Sequence, residues 1–508
     1  DAQESRGLGD VYKRQGNNVA VGYAALNQLN AGADGHNTAV GKFAGYNVTT
    51  GIQNVAIGSG AFDLANASNE NVAIGYAALT QEVKGHRNVA VGDSTLATQQ
   101  FGTSTNSYNT AVGYHAGNDI TTGIGNTILG GFTGDAISDA DYNTALGQGA
   151  MGTNETGSLN TAVGASALFT MNFGSATDGL NTAVGRSAMY GLTTGVRNTS
   201  VGHLSLSATV SGNDNIAVGV NAGASVSTGT RNVIVGNYAL DASTDQPDIV
   251  AVGYDALTTA DGATQTVAVG TYAGAAVTNG DYNTFVGYKS GYGNTSAPSN
   301  TGIGAGALLS NQTGARNTAA GANSLDANIS AHDNTAFGYD ALTAATGAAN
   351  TAFGGYAGDN ITSGSNNCSL GFQAEPSAAD ATNEVTLGNS SISSIRCQVQ
   401  TISSLSDVRD KENIEELPLG IEFINTLRPV KFDWAMRDGF QKGGQEIGFV
   451  AQELDKAQQE ADAEEYMRLV LKSNPDRLES TYGKLVPILT KAVQELSAEI
   501  EKLKKEQN

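Results

Sequence analysis

A five-residue pattern, N-[TV]-A-[VI]-G, returns along most of this 508-residue chain, and its closing glycines run from Gly22, Gly41 and Gly58 to Gly371 and Gly388. Of the 21 intervals between the 22 marker glycines, 17 are 17 residues long; the others are 19, 21, 21 and 16. A fixed period of this length is too short for a helical hairpin or a propeller blade, but suits one coil of a β-solenoid. In the unit Asn109–Gly125, two short apolar segments alternate with Gly, Asn and Thr. The strand T-A-V is expected to turn small or β-branched side chains inward, where stacked coils leave little room. Gly is expected to supply positive φ at the corners, and Asn to tolerate the left-handed region there. Asn stands four residues before the marker glycine in 19 of 22 units, with Ile249, Thr266 and Glu384 as the exceptions, so stacking predicts an amide ladder. At about 4.8 Å per coil, such a stack would be on the order of 100 Å long, the shape of a stalk or fibre.

These NVAIG and NTAVG units resemble the heads of trimeric autotransporter adhesins (YadA-like heads) over roughly residues 16–390, although the unit here is longer. The resemblance implies a left-handed parallel β-roll assembled as a trimer. Residues 1–15 break the pattern and read as non-native sequence, which places the native N-terminus and its attachment region outside the chain.

Composition limits what such a rod does. The chain holds 27 Lys and Arg against 49 Asp and Glu, a net charge of −22, and so lacks the basic stripe that nucleic acid requires. No run of 18 apolar residues supports membrane insertion, and no secretion signal opens the chain. Cys368 and Cys397 are too few for a disulfide framework and lack zinc-ligand spacing; neither a metal nor a cofactor is expected. Tyr23, Tyr76, Tyr114, Tyr254, Tyr288 and Tyr339 follow marker glycines. They suit filling between coils or subunits better than stacking on a glycan. A glycan-cleaving fibre would need a carboxylate pair. Beyond the suspect start the repeats hold only Glu70, Glu82, Glu155, Glu375 and Glu384 besides turn Asp residues, and spacing alone pairs none of them. A flat Thr face for ice is disfavoured, because a regular T-x-T ladder is missing.

The final 103 residues are chemically different, with 36 of the chain's 76 charged side chains between 406 and 508. After a polar, extended neck at 391–405 comes SDVRDKENI, Ser406 to Ile414. Alone, a Ser followed five residues on by a Lys is a weak signal, and a Ser-Asp turn capping a helix explains it equally well. Further on, the spacing predicts helices over 420–427 and 451–459, strands over 430–434 and 446–450, and a last helix from about Tyr482. That helix carries a heptad, with Val486, Val493 and Ile500 at a and Leu489, Leu496 and Leu503 at d. Such a stripe favours self-association.

The blocks SDVRDKENIEELPLGIEFINTLRPVKFDW, EIGFVAQEL and TYGKLVPILTKAVQEL resemble, in order, the intramolecular chaperone domain of bacteriophage endosialidase tailspikes. The resemblance implies a domain at 406–508 that trimerises the chain, assists folding of a β-rich fibre and then cuts itself away. Carried over by motif, the scissile bond is Leu405–Ser406, the nucleophile Ser406 and the base Lys411, with Asp407, Arg409 and Asn413 as supporting residues. Arg409 is a candidate for the nearby cation that would lower the pKa of the Lys. The expected whole is a homotrimeric tail fibre, joined to a virion through the missing N-terminal region and touching a host surface receptor, a glycan or outer-membrane component. A bacterial surface adhesin is the alternative, and a glycan-degrading tailspike a weaker one.

Overall fold

The computed structural model describes residues 17–30, 35–392, 394–396, 406–437, 442–472 and 478–507. It divides into two compact units, 1–335 and 336–508. Residues 1–15, Cys397, Leu405 and most of the expected neck lie outside the described residues.

The first unit is a parallel β-solenoid. Eighteen three-residue strands, from Val19–Val21 to Thr318–Ala320, pair in register with one strand per coil, so Thr110, Ala111 and Val112 lie beside Thr127, Ile128 and Leu129. The period follows from the marker glycines. Gly75 has φ +142°, and a Cβ there would stand 2.1 Å from the carbonyl oxygen of Gly92 in the next coil. Any side chain would push the coils apart, so glycine recurs once per turn.

The expected in–out sense of T-A-V is corrected here. Only the central residue faces inward: Ala73, Ala90 and Ala111 are fully buried, whereas the flanking Thr or Val positions are partly open. A strand alternates faces with period 2, so burying its middle residue forces both neighbours outward. The core is completed from the turn after each glycine, by residues such as Ala78, Leu79, Ala116 and Ile120.

The corners also differ from expectation. Left-handed corner positions are filled largely by non-glycine residues, among them Leu79 (φ 50°), Leu96 (φ 50°) and Leu168 (φ 49°). Holding an L-residue there costs about 1–2 kcal/mol, but burying a leucine returns about 1.5–3 kcal/mol, so the core residue wins.

The repeated Asn is committed to the ladder instead. The Oδ1 of Asn54 accepts the backbone N–H of Asn71 at 3.0 Å, and that of Asn71 accepts Asn88 N–H at 2.9 Å. Each amide also closes its own coil, as when Asn54 Nδ2 donates to Ser68 O at 2.8 Å and Asn109 Nδ2 to Gly123 O at 2.7 Å. The expected ladder is present, built mainly on backbone N–H groups. Ile249 still donates its N–H to Asn232, but its side chain offers no acceptor to Thr266 in the next coil, and the link after that is a 3.5 Å contact between Asn283 N and the Thr266 hydroxyl. The two 21-residue intervals gain short parallel ladders of their own, Gly85–His86 with Thr105–Asn106 and Gly157–Ser158 with Thr177–Asp178.

The second unit contains further coils, with strands Thr351–Phe353, Cys368–Leu370 and Val385–Leu387, followed by a small α+β region. In that region α1 (Ile421–Thr426), an antiparallel hairpin (Val430–Ala435 with Lys442–Gly448), α2 (Ala451–Glu460), α3 (Glu464–Met467) and α4 (Leu485–Glu506) occur in order. Their core gathers Phe423, Leu454, Met467, Leu469, Leu485 and Ile488. Among the described residues no helix is long and apolar enough to cross a membrane.

Candidate functional site

Ser406 and Lys411 meet because one turn lies between them. Asp407 caps the 3-10 turn Val408–Asp410 by accepting the N–H of Arg409 at 2.9 Å, and the chain leaves the turn extended at Lys411. That single reversal returns the lysine side chain to the start of the segment, where Lys411 Nζ donates to Ser406 Oγ at 2.7 Å. Asn413 follows with φ 52°, a left-handed position that Asn adopts more readily than most residues. Every one of these side chains except that of the half-buried Asp407 is exposed in the single chain.

Arg409 is paired with Asp407. Its guanidinium is clamped on Asp407, with Nε 3.0 Å from Oδ1 and 3.1 Å from Oδ2, and in turn holds the Asp407 carboxyl below its ordinary range. The cap falls to Asp407 and leaves the Ser406 hydroxyl to the lysine. Leu405, on the far side of the expected scissile bond, lies outside the described residues.

Among the described residues, nothing covers the heptad positions of α4. Leu485, Ile488 and Ala492 turn one face of α4 into the core, and Glu495 accepts the N–H of Ile421 at 2.8 Å at the start of α1. The remaining stripe, Val486, Leu489, Val493, Leu496, Ile500 and Leu503, is exposed throughout, from 43% at Leu496 to 64% at Val493.

Residues 406–463 match the family model described as chaperone of endosialidase. The chaperone family is one of self-cleaving domains found in phage tail proteins, and the match begins at Ser406 itself. A β-solenoid of about 17-residue coils followed by a segment that matches this model is consistent with a tail-fibre-like or tailspike-like protein. No curated protein and no solved structure matches the chain significantly.

Two features of the solenoid bear on the alternatives. Tyr238, Tyr254, Tyr272 and Tyr292 stand one per coil, with successive centroids 5.9, 5.6 and 6.3 Å apart and ring planes at 75–83°. Edge-to-face contact of this kind binds the rings to one another. The carboxylates are not all solitary. Spacing pairs none, but Glu375 and Asp359 share a side-chain hydrogen bond, and Glu375 Oε1 also accepts Asp359 N–H at 3.2 Å. Burial, then the contact with Asp359, pushes the Glu375 carboxyl up to about 8. Two carboxyls in hydrogen-bond contact leave no room for a sugar ring and water, which need about 5–9.5 Å between them. The pair therefore has the geometry of a shared proton, not of a glycosidase.

Proposed function

We propose that this chain is the subunit of a homotrimeric phage tail fibre whose C-terminal domain brings the copies together, assists folding and then releases itself by cutting between Leu405 and Ser406. The observation that carries the cutting step is the 2.7 Å contact between Lys411 Nζ and Ser406 Oγ. A serine hydroxyl needs a base to become a nucleophile, and a lysine serves once it is neutral.

In the proposed step Ser406 Oγ gives its proton to neutral Lys411 and bonds to the carbonyl carbon of Leu405. The C–N bond then breaks, and the Ser406 nitrogen takes up a proton as it leaves. The resulting ester is opened by water, leaving a carboxylate on Leu405 and a free hydroxyl on Ser406. The substrate is held by the fold, so each chain turns over once and no encounter step is needed.

Lys411 is exposed and Arg409 is already paired in the single chain, and the neutral lysine that the step needs is proposed to arise on assembly. Desolvation by neighbouring copies would produce it, because burial disfavours the ammonium. Cutting would then report that assembly is complete. Loss of the chaperone would remove the easy route back to unfolding and leave the rod kinetically trapped. Contact with a host surface receptor is the role proposed for the mature fibre.

Intact mass and N-terminal sequencing test the step. Wild type is expected to yield a fragment beginning at Ser406, with both Ser406→Ala and Lys411→Ala remaining at full length. A fragment with that terminus in either variant would remove the dyad from the scheme.

A further inference from the structure

The two 21-residue intervals share one design. Residues 100–106 read QFGTSTN, and residues 172–178, at the matching positions of the second interval, read NFGSATD. Each segment supplies one strand of a two-residue parallel ladder, Thr105–Asn106 beside Gly85–His86 and Thr177–Asp178 beside Gly157–Ser158. The polar groups behind the two ladders differ in kind. Behind the first, the imidazole of His86, 9% exposed, ties neighbouring coils together: Nδ1 accepts the N–H of Asn69 at 2.9 Å, and Nε2 lies 2.7 Å from the Ser104 hydroxyl. A ring nitrogen that accepts carries no hydrogen, so this imidazole is neutral and its proton sits on Nε2. The buried Glu82 beside it accepts the N–H of Lys84 at 2.8 Å and Gln99 Nε2 at 2.7 Å. Behind the second ladder, Ser158 stands in place of His86 and accepts the N–H of Asp141 at 2.9 Å, while Asn154 replaces Glu82 and Ala176 replaces Ser104. None of these three replacements changes charge with pH.

We infer that His86 is a pH-sensitive clasp, whose protonation releases the 100–106 segment and the seam to Asn69 while the matching 172–178 segment stays closed. In the imidazolium both ring nitrogens are donors. Nδ1–H would then face the Asn69 N–H, donor against donor, and a charge would stand in a site closed to water. The charged groups around the ring do not relieve this conflict. Arg87, next in sequence, adds a second cation, and Glu70 is already engaged by Arg87 Nε at 2.8 Å. Tyr108 Oη accepts from Arg87 Nη1 at 2.6 Å, and Lys84 Nζ is turned to Gly102 O at 3.0 Å. Burial, then Arg87, holds the His86 pKa below the ordinary 6.5. The closed state therefore binds fewer protons than the open one, and closure weakens as pH falls from about 6.5 toward the lower, folded value. Glu82 acts with the opposite sign, because burial pushes its carboxyl up and its contribution weakens as pH rises above 4.5. His332 makes a similar contact, accepting the N–H of Ala315 at 2.8 Å, but its ring is exposed and keeps its hydration when protonated.

Amide exchange of the full chain at pH 7 and pH 5, corrected for the intrinsic chemical rate, tests this, with the second segment as a control in the same sample. Segment 100–106 and Asn69 are expected to open at least about fivefold more at pH 5, and segment 172–178 to change by less than about twofold. His86→Ser copies the second ladder and should flatten the response. His86→Asn should do the same, since it keeps an acceptor of the kind that Asn69 offers to Ile52 N–H and Asn213 to Val196 N–H. Equal responses of the two segments in wild type would overturn the inference without recourse to any variant. A response at 100–106 that either folded variant retains would overturn it too, and opening that grows with pH instead would assign the titration to Glu82 and contradict the clasp.

Discussion

At the scale of single residues, the repeated asparagine is where most of the coil's polar bookkeeping is concentrated. Asn215 Oδ1 accepts Asn232 N–H at 3.1 Å, and its Nδ2 reaches Gly229 O at 2.8 Å and Asn198 Oδ1 at 3.1 Å, all in a buried setting. Asn215→Ala strands these partners and should destabilise the surrounding coils by about 2–4 kcal/mol, seen as faster amide exchange around Asn232 and Gly229. By contrast, the exposed Arg197–Asp214 pair at 2.6 Å should matter little, and Arg197→Ala should leave exchange within about 0.2–1 kcal/mol of wild type. Glu375 supplies a pH dependence. Its folded pKa of about 8 lies above the ordinary 4.5, so the folded chain keeps a proton that the unfolded chain gives up. Stability should therefore fall as pH rises from about 4.5 to about 8 and level off above that. Thermal unfolding at pH 5 and pH 8 should show a loss in wild type that Glu375→Gln reduces. The asparagine slot was legible in the sequence because the period exposes it. The Glu375–Asp359 contact was not, because two acids 16 residues apart become neighbours only once the corner geometry of adjacent coils is known.

At the scale of elements, the coil and the last helix reach their positions by different physics. The coil is set by close approach: Gly219→Ala would bring a Cβ within 2.5 Å of Gly236 O at φ +140° and should prevent the two coils from seating. Loss of the ordered chain or aggregation on expression is expected, whereas Thr228→Ala at an exposed corner of the same coil should be tolerated. The helix is set by a stripe on each side, one buried within the chain and one open. Its span, like those of α1 and α2, could be read from apolar spacing. The four-residue α3 and the Val470–Leu471/Glu479–Ser480 pair could not, because elements that short carry no period. The outward sense of Thr and Val in T-A-V was equally hidden. A three-residue strand has too few positions to declare its inner face, and only burial of the alanine column decides it.

At the scale of the whole molecule, the sequence divides the chain chemically, a weakly charged repeat before a strongly charged C-terminal region, and the family match at 406–463 lies within the charged part. The Ser406–Lys411 pairing was legible only through the family motif, since five residues of spacing do not fix which way a side chain turns. The turn at Val408–Asp410 supplies that direction. Solenoids of this kind fold from non-local strand pairing, which is slow and open to misregister, and the gathering of copies proposed for the C-terminal domain would address that difficulty. The most direct measurement compares cutting with assembly in one sample: oligomer mass and intact chain mass for wild type and for Val493→Asp/Leu496→Asp, which charges the open stripe of α4 and spares its buried face. Trimeric wild type cut at Ser406, with a monomeric variant left at full length, is the expected result. A folded monomeric variant cut at the wild-type rate would contradict the coupling of cleavage to assembly.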